Sequence, residues 1–447
     1  MKKQRLIAAA MAAVAISGAL AGCSASGTDS GDKVNLSYWL WDANQQPAYK
    51  ACATAFTKAN PDIDVTVKQF GWDDYWSQIT TGLVSGTAPD VFTGHSSYFP
   101  TFVEKHQILP IDDVVKADDI NLKQYETGLT AAWTSGKKLY GLPKDVGLAA
   151  MYVNSDMLEK AGLTANDLSN LEWNPKDGGT FEKTIAHLTL DAKGVRGDEP
   201  GFDKSNVAVY GLGLNGDGGG LGETIWGQYA ESNDWTYLNE KGGKPHFNYD
   251  DKNFLDAISW FKGLSDKGYM PTLEQAVSGI GQQDSYGADK YAMISEGSWS
   301  ASTLFGYKDV KSIIAPLPIG PSGHRASPAN GLADNVAVTT KHPEQSKKLV
   351  AFLGSKDCQS LVAKQAVVFP AIADLSGATK KAYEAKGIDI SPFLETVDKG
   401  DIYSSPSVAN WAEVNAIMTP AMQAYLGGSA PLDSFVDANK QVNALYN

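Results

Sequence analysis

Only three cysteines, Cys23, Cys52 and Cys358, occur in 447 residues. That excludes a disulfide-dense scaffold and any zinc site built mainly on cysteine. Histidines are scarce too, six in all and scattered without ligand spacing, so no metal is expected. Nor is a cofactor: no glycine run leads into a phosphate-binding lysine, and neither a His-Glu-x-x-His helix nor a nucleophile elbow is present. No basic run offsets the net charge of −13. A negative field of this kind repels phosphate backbones, which argues against nucleic acid as a partner. There are no internal repeats, and beyond the first residues no apolar run approaches the ~20 residues of a membrane span.

The N-terminus is informative. Lys2, Lys3 and Arg5 precede an apolar, Ala-rich stretch from Leu6 to Leu20, the layout of a signal peptide over 1–22. Leu20-Ala21-Gly22-Cys23 matches a bacterial lipobox, in which Cys23 becomes the lipidated N-terminus. Residues 23–33 read as that lipidated Cys and a Ser/Gly/Asp tether. Several acyl chains hold a protein on a bilayer far better than one. The expected location is the outer face of the cytoplasmic membrane. Loss of the leader takes the net charge to about −16. Export leaves two readings for Cys52 and Cys358: a disulfide, or two buried thiols.

The remaining chain is too long for one compact core and fits two or three lobes. Residues 34–41 alternate with period two and predict a strand. A helix follows over 47–59, stopped by Asn60-Pro61, then a strand over 63–68, a helix over 73–84 and a short strand over 90–93. Such alternation implies parallel strands with helices on their faces, and ligands at the carboxyl ends of the strands. Trp41-Asp42 and Gly94-His95-Ser96-Ser97 stand just past two such ends. The middle, about 147–309, carries Gly-rich loops and a helix over 253–267. Strand patterning returns over 312–318 and 335–340, followed by helices over 343–353, 411–426 and 432–445.

Five stretches, in order, resemble the bacterial extracellular solute-binding proteins, the family of the maltose-binding protein, and within it the sugar-binding lipoproteins of Gram-positive bacteria. They are the strand ending in Trp41-Asp42 with Asn60-Pro61-Asp62-Ile63-Asp64-Val65; Ser85-Gly86-Thr87-Ala88-Pro89-Asp90-Val91-Phe92; Tyr140-Gly141-Leu142-Pro143-Lys144-Asp145, leading into Met151-Tyr152-Val153-Asn154 and Leu158 to Leu163; Met293-Ile294-Ser295-Glu296-Gly297-Ser298-Trp299; and the late helix with Ala351-Phe352-Leu353. The second half departs more from the family, notably in its Gly-rich loop at 212–222. The resemblance implies an α/β fold of two lobes, each a mixed sheet flanked by helices, joined by hinge crossovers. Lobe 1 would take 34–145 with 310–375, and lobe 2 would take 146–309 with 376–447. In that tracing Cys52 and Cys358 share lobe 1, which favours the disulfide. The implied partners are a small carbohydrate and the permease subunits of an ABC importer, with the chain acting as a monomer and the lipid as its only hold on the membrane.

A sugar presents apolar C–H faces and a rim of hydroxyls, so its site needs flat aromatic surfaces and fixed polar groups. The chain has 11 Trp and 19 Tyr. Most belong in cores. Trp299, at a strand-to-helix corner, Trp411, Trp41 and Trp226 are the stacking candidates, with Trp72 and Trp76 behind them; Trp76 also fits a helix core. For the hydroxyls the candidates are Asp42, His95, Ser96, Lys144 and Asp145, together with Asp217, Asn330, Asp334 and Asn335. The main rival is a secreted glycoside hydrolase, which needs two carboxylates across the scissile bond. The paired acids Asp73-Asp74, Asp112-Asp113, Asp118-Asp119 and Asp250-Asp251 mostly precede or open helices, where Asp serves as a cap. A binding protein without catalysis is therefore expected. The same fold holding a peptide, polyamine or metal is the nearer alternative.

Overall fold

A computed structural model describes residues 33–216 and 222–447. The leader, Cys23 with its tether up to Asp32, and Asp217 lie outside the described residues.

The first strand, Val34–Leu40, buries Leu36, Tyr38 and Leu40 on one face, as its period requires. It pairs in parallel with Ile63–Gln69, from Val34 opposite Ile63 to Leu40 opposite Gln69, and on its other edge with Val91–His95. Helix Gln46–Ala59 connects the first pair. Pro47 sits in its first turn, where its missing N–H costs nothing. Ala48, Tyr49, Cys52, Ala53 and Phe56 form its buried stripe. Helix Trp72–Ser85 ends on Gly86, whose left-handed φ of 80° closes an N–H bond back to Gly82.

Two long strands carry the chain between lobes. Pro143–Asn154 has 12 residues and Ser327–Ala337 has 11, each reaching some 35–40 Å at ~3.3 Å per residue. They run antiparallel, with Asn330 opposite Gly147 and Leu332 opposite Asp145. Leu332–Val336 pairs with Val91–His95, while Ala149–Val153 pairs with Tyr291–Gly297. One mixed sheet path thus runs through both halves. The strand expected over 335–340 begins earlier, at Ser327. Pro328 and Gly331 read as loop signals, yet Pro328 lies near the strand's start, where a missing donor is tolerated.

Pro143–Asn154 divides its side chains by period two. Ala149, Met151 and Val153 face the core built by residues up to Leu317 and by the C-terminal helices Trp411–Leu426 and Ser434–Ala444. Leu148, Ala150 and Tyr152 face a smaller cluster with Phe369, Tyr383 and Phe393. The other large core joins the first three strands and their helices to Ala333–Ala337 and to helices Pro343–Leu353 and Lys356–Gln365. Cys52 and Cys358 lie in that core and are bonded, with Cα atoms 5.1 Å apart. The bridge closes 306 residues of chain, worth a few kcal/mol, roughly 2–5, on loop-entropy grounds. Among the described residues no helix is long and apolar enough to cross a membrane.

Candidate ligand-binding cleft

The two halves enclose a cavity of about 720 Å³, within the ~300–1,000 Å³ of small-molecule sites. Its first wall comes from the carboxyl ends of the parallel strands, as the topology dictates. Trp41 and Asp42 follow the first strand, Gln69 ends the second, and His95 ends the third. The opposite wall holds Glu223, Thr224, Gln283, Glu296, Asn415 and Thr419. Asp145, Gly147, Asn330 and Leu332, from the two crossing strands, lie between them.

The aromatic panel is built on the first wall. Trp41 meets Trp72 edge-on, with centroids 5.1 Å apart at 90°. Behind it Trp76 stacks on Tyr98 at 3.9 Å and 11°. Trp72 is 37% exposed, while Trp76 is 5% exposed, so Trp72 and Tyr98 present ring surface to the cavity and Trp76 backs them. Trp299 lies across two glycines. A Cβ at Gly147 would come within 2.7 Å of its ring, and one at Gly297 within 2.1 Å. Only a bare backbone on both strands lets the indole lie this close.

The polar groups fall into two sets. Lining amides are largely engaged by the protein. Asn44 Nδ2 donates to Trp299 O and Thr303 Oγ1, Gln69 Nε2 to the carbonyls of Trp41 and Phe70, and Gln283 Nε2 to Glu296 and Ser300. Gln45 Nε2 donates to Asp42 Oδ2, and Asn44 N to Asp42 Oδ1, both at 2.8 Å. Acceptors form the second set. Asp145 Oδ2, Asn330 Oδ1 and Asn415 Oδ1 are buried with no hydrogen-bond partner among the described residues. Buried acceptors left unmade are costly, so such a wall favours a donor from a ligand or water.

Burial dominates the titration of this wall. It pushes the Asp145 carboxyl up to about 7, with Lys144 pulling it down and Asp334 and Asp42 pushing it further up. Burial also raises Asp42, against the hydrogen bonds from Gln45 and Asn44. His95 is lowered to about 4 by burial and is neutral at physiological pH. Its Nδ1 accepts from Ser97 N at 3.2 Å. The proton therefore sits on Nε2, which faces Glu223 Oε1 across the cavity at 3.7 Å.

Of the residues expected at the ligand, Trp41, Asp42, His95, Asp145, Trp299 and Asn330 share this cavity. Lys144 and Asp334 do not line it. They form a buried pair at 3.1 Å, each 1% exposed, and Lys144 Nζ also donates to Tyr38 Oη and Thr93 Oγ1. Strand alternation turns Asp145 toward the cleft and its neighbour Lys144 away. Asn335 is likewise buried, its amide donating to Tyr140 O. Ser96 is beside the cavity but not in its wall; its carbonyl accepts from Ser407 Oγ. Trp226 and Trp411, expected to stack on the ligand, do not line the cavity: both are 0% exposed in the second lobe's core. Trp226 packs against Trp235, Tyr237 and Phe254, while Trp411 stacks on Phe247.

Tyr98, Glu223, Gln283, Glu296 and Asn415 are wall residues absent from the candidates drawn from the sequence. Signals existed for some. Tyr98 is three residues past His95, and Glu296 lies inside the run ending at Trp299. For Asn415 the signal is helical: Trp411, Val414, Met418, Met422 and Tyr425 form the buried stripe of their helix, which sets Asn415 and Thr419 on an adjoining face.

Residues 51–387 match the family model described as bacterial extracellular solute-binding protein. A Brucella abortus protein named only as a binding protein is 26% identical over 444 residues, covering 96% of this chain and 97% of its own. A maltodextrin-binding protein of Bacillus subtilis is 25% identical, covering 81% and 78%. Among solved structures, an ABC substrate-binding protein from Listeria monocytogenes, in complex with cycloalternan, superposes with a TM-score of 0.79 at 18% identity, covering 93% and 99%. The fold is that of the two-lobed, maltose-binding-protein-like binding proteins of ABC importers, and the chain is a binding protein, not an enzyme. This chain belongs to the bacterial extracellular solute-binding protein family.

Proposed function

We propose that the protein captures a short oligosaccharide outside the cell and delivers it to the membrane subunits of an ABC importer. The observation that carries this reading is an aromatic panel in one cavity between two lobes, together with buried acceptors that have no partner among the described residues. Trp41, Trp72 and Trp299 offer flat faces for C–H surfaces, and Asp145, Asn330 and Asn415 accept from hydroxyls. The volume suits more than one pyranose ring. The maltodextrin-binding relative supports the same class of ligand. A ligand touching both walls favours the closed arrangement, and that arrangement is what the importer reads. The chain works as a monomer, held at the outer face of the membrane by lipid on Cys23.

A thermal-shift screen tests the reading, with di- to tetrasaccharides beside peptides, polyamines and divalent metals. Stabilisation by a carbohydrate is expected. Stabilisation only by a peptide, a simple polyamine or a metal sinks it.

A further inference from the structure

We infer that the preferred ligand is a carbohydrate bearing a protonated amine, an amino sugar or its short oligomer, whose ammonium sits among the cleft carboxylates Asp42, Asp73, Asp145, Glu223 and Glu296. The inference rests on the carbohydrate reading above and narrows it.

Those five carboxylates line one cavity, and among the described residues no Lys or Arg lines it with them. The buried cation next in sequence to Asp145, Lys144, is turned into the first lobe and paired with Asp334. His95, the cavity's imidazole, is held neutral at physiological pH. The wall is therefore rich in carboxylates, and among the described residues it holds no cation of its own. Two further observations point to a donor-rich ligand. Asp145 and Asn330 are 1% and 5% exposed, and each keeps a side-chain oxygen without a partner among the described residues. Meanwhile both N–H groups of Asn44, Gln69 and Gln283 are engaged by protein acceptors, so these wall amides offer a sugar little donation.

A neutral sugar hydroxyl both donates and accepts, and it brings no positive charge to this acid-rich wall. An ammonium gives three donors, no acceptor, and a positive charge. Charge-assisted hydrogen bonds to carboxylates are about twice as strong as neutral ones. The exposed face of Trp72 and the ring of Tyr98 add surfaces over which a cation is attracted. A metal is a poorer answer: among the described residues no three His, Cys, Asp or Glu side chains gather to hold one. The carboxylates are spread around a roomy cavity, which suits an organic cation with apolar faces.

Calorimetric titration of the purified protein tests this with glucosamine and galactosamine and their di- to tetrasaccharides, the N-acetylated counterparts, the hydroxyl counterparts of equal ring number, and spermidine. The amino form is expected to bind about tenfold or more tighter than its N-acetylated or hydroxyl counterpart. The margin should shrink in about 0.5 M salt. Asp145→Asn and Glu223→Gln should erase most of the preference. Asp73, being exposed, gives a third variant, Asp73→Asn, that keeps the test open if a buried substitution impairs folding. Equal or tighter binding of the neutral sugars overturns the inference and leaves the carbohydrate reading standing. Failure of every amino sugar to bind overturns it as well. Binding of spermidine with no sugar bound overturns both.

Discussion

Trp72 stands edge-on to Trp41 at 5.1 Å, one ring exposed to the cleft and the other half-covered by it. The pair separates binding from stability. Trp72 contributes little to the lobe core, so Trp72→Ala should leave the melting temperature nearly unchanged and weaken ligand binding roughly tenfold. Trp411→Ala should do the reverse. It empties a fully buried site against Phe247 and should cost about 3–5 kcal/mol of stability. Urea unfolding together with ligand titration of both variants checks the contrast. A Trp72→Ala protein that unfolds while binding survives in Trp411→Ala would contradict it.

Lys144 and Asp334 should prove structural. Removing either leaves a buried charge with an incomplete set of partners, and Lys144→Met or Asp334→Leu alone should cost about 3–5 kcal/mol. The double substitution should recover much of that loss, because no unpaired charge remains. A double-mutant cycle by chemical denaturation measures it; strictly additive losses would remove the pair from the account.

Asp145 sets a pH dependence of the unliganded protein. Its folded pKa, about 7, lies above that of an unfolded aspartate. The folded state then binds the extra proton between those two values. Its stabilising contribution is complete below the unfolded pKa, declines as pH rises, and is lost once pH passes about 7. Asp145→Asn should flatten melting temperature against pH across that window. An unchanged slope assigns the effect to another group.

The Cys52–Cys358 bridge should matter to stability and not to the ligand. Neither residue lines the cavity, and both belong to the first lobe's core. Replacing both by Ser should lower stability by roughly 2–5 kcal/mol and leave affinity unchanged. A large loss of affinity in a folded variant would mean that the bridge shapes the cleft.

The architecture was legible wherever one residue period governed a segment. The strand over 34–41 and the helices over 47–59 and 343–353 follow from alternation and from apolar stripes, and the structure agrees within a residue or so at the ends. The cleft positions Trp41, Asp42 and His95 followed from topology, since parallel strands present ligands at their carboxyl ends. Trp226 and Trp411 misled because proximity to a loop says nothing about which face a ring takes. For Trp411 the stripe through Met418 and Met422 was already in the sequence and outweighs the neighbouring loop. Lys144 and Asp145 are adjacent, so any reading that sends both to the ligand conflicts with strand alternation. Glu223 was hidden for a different reason. It flanks a glycine-rich loop, and only the packing of the second lobe brings it opposite His95.

The most direct test is intrinsic fluorescence of the wild-type protein and of Trp41→Ala, titrated with the carbohydrate that gives the largest thermal shift. The account predicts a saturable change in indole emission in the wild type, and a loss of both the change and most of the affinity in the variant. Full affinity retained in a folded Trp41→Ala protein would contradict it, because the sugar would then be bound somewhere other than this cleft.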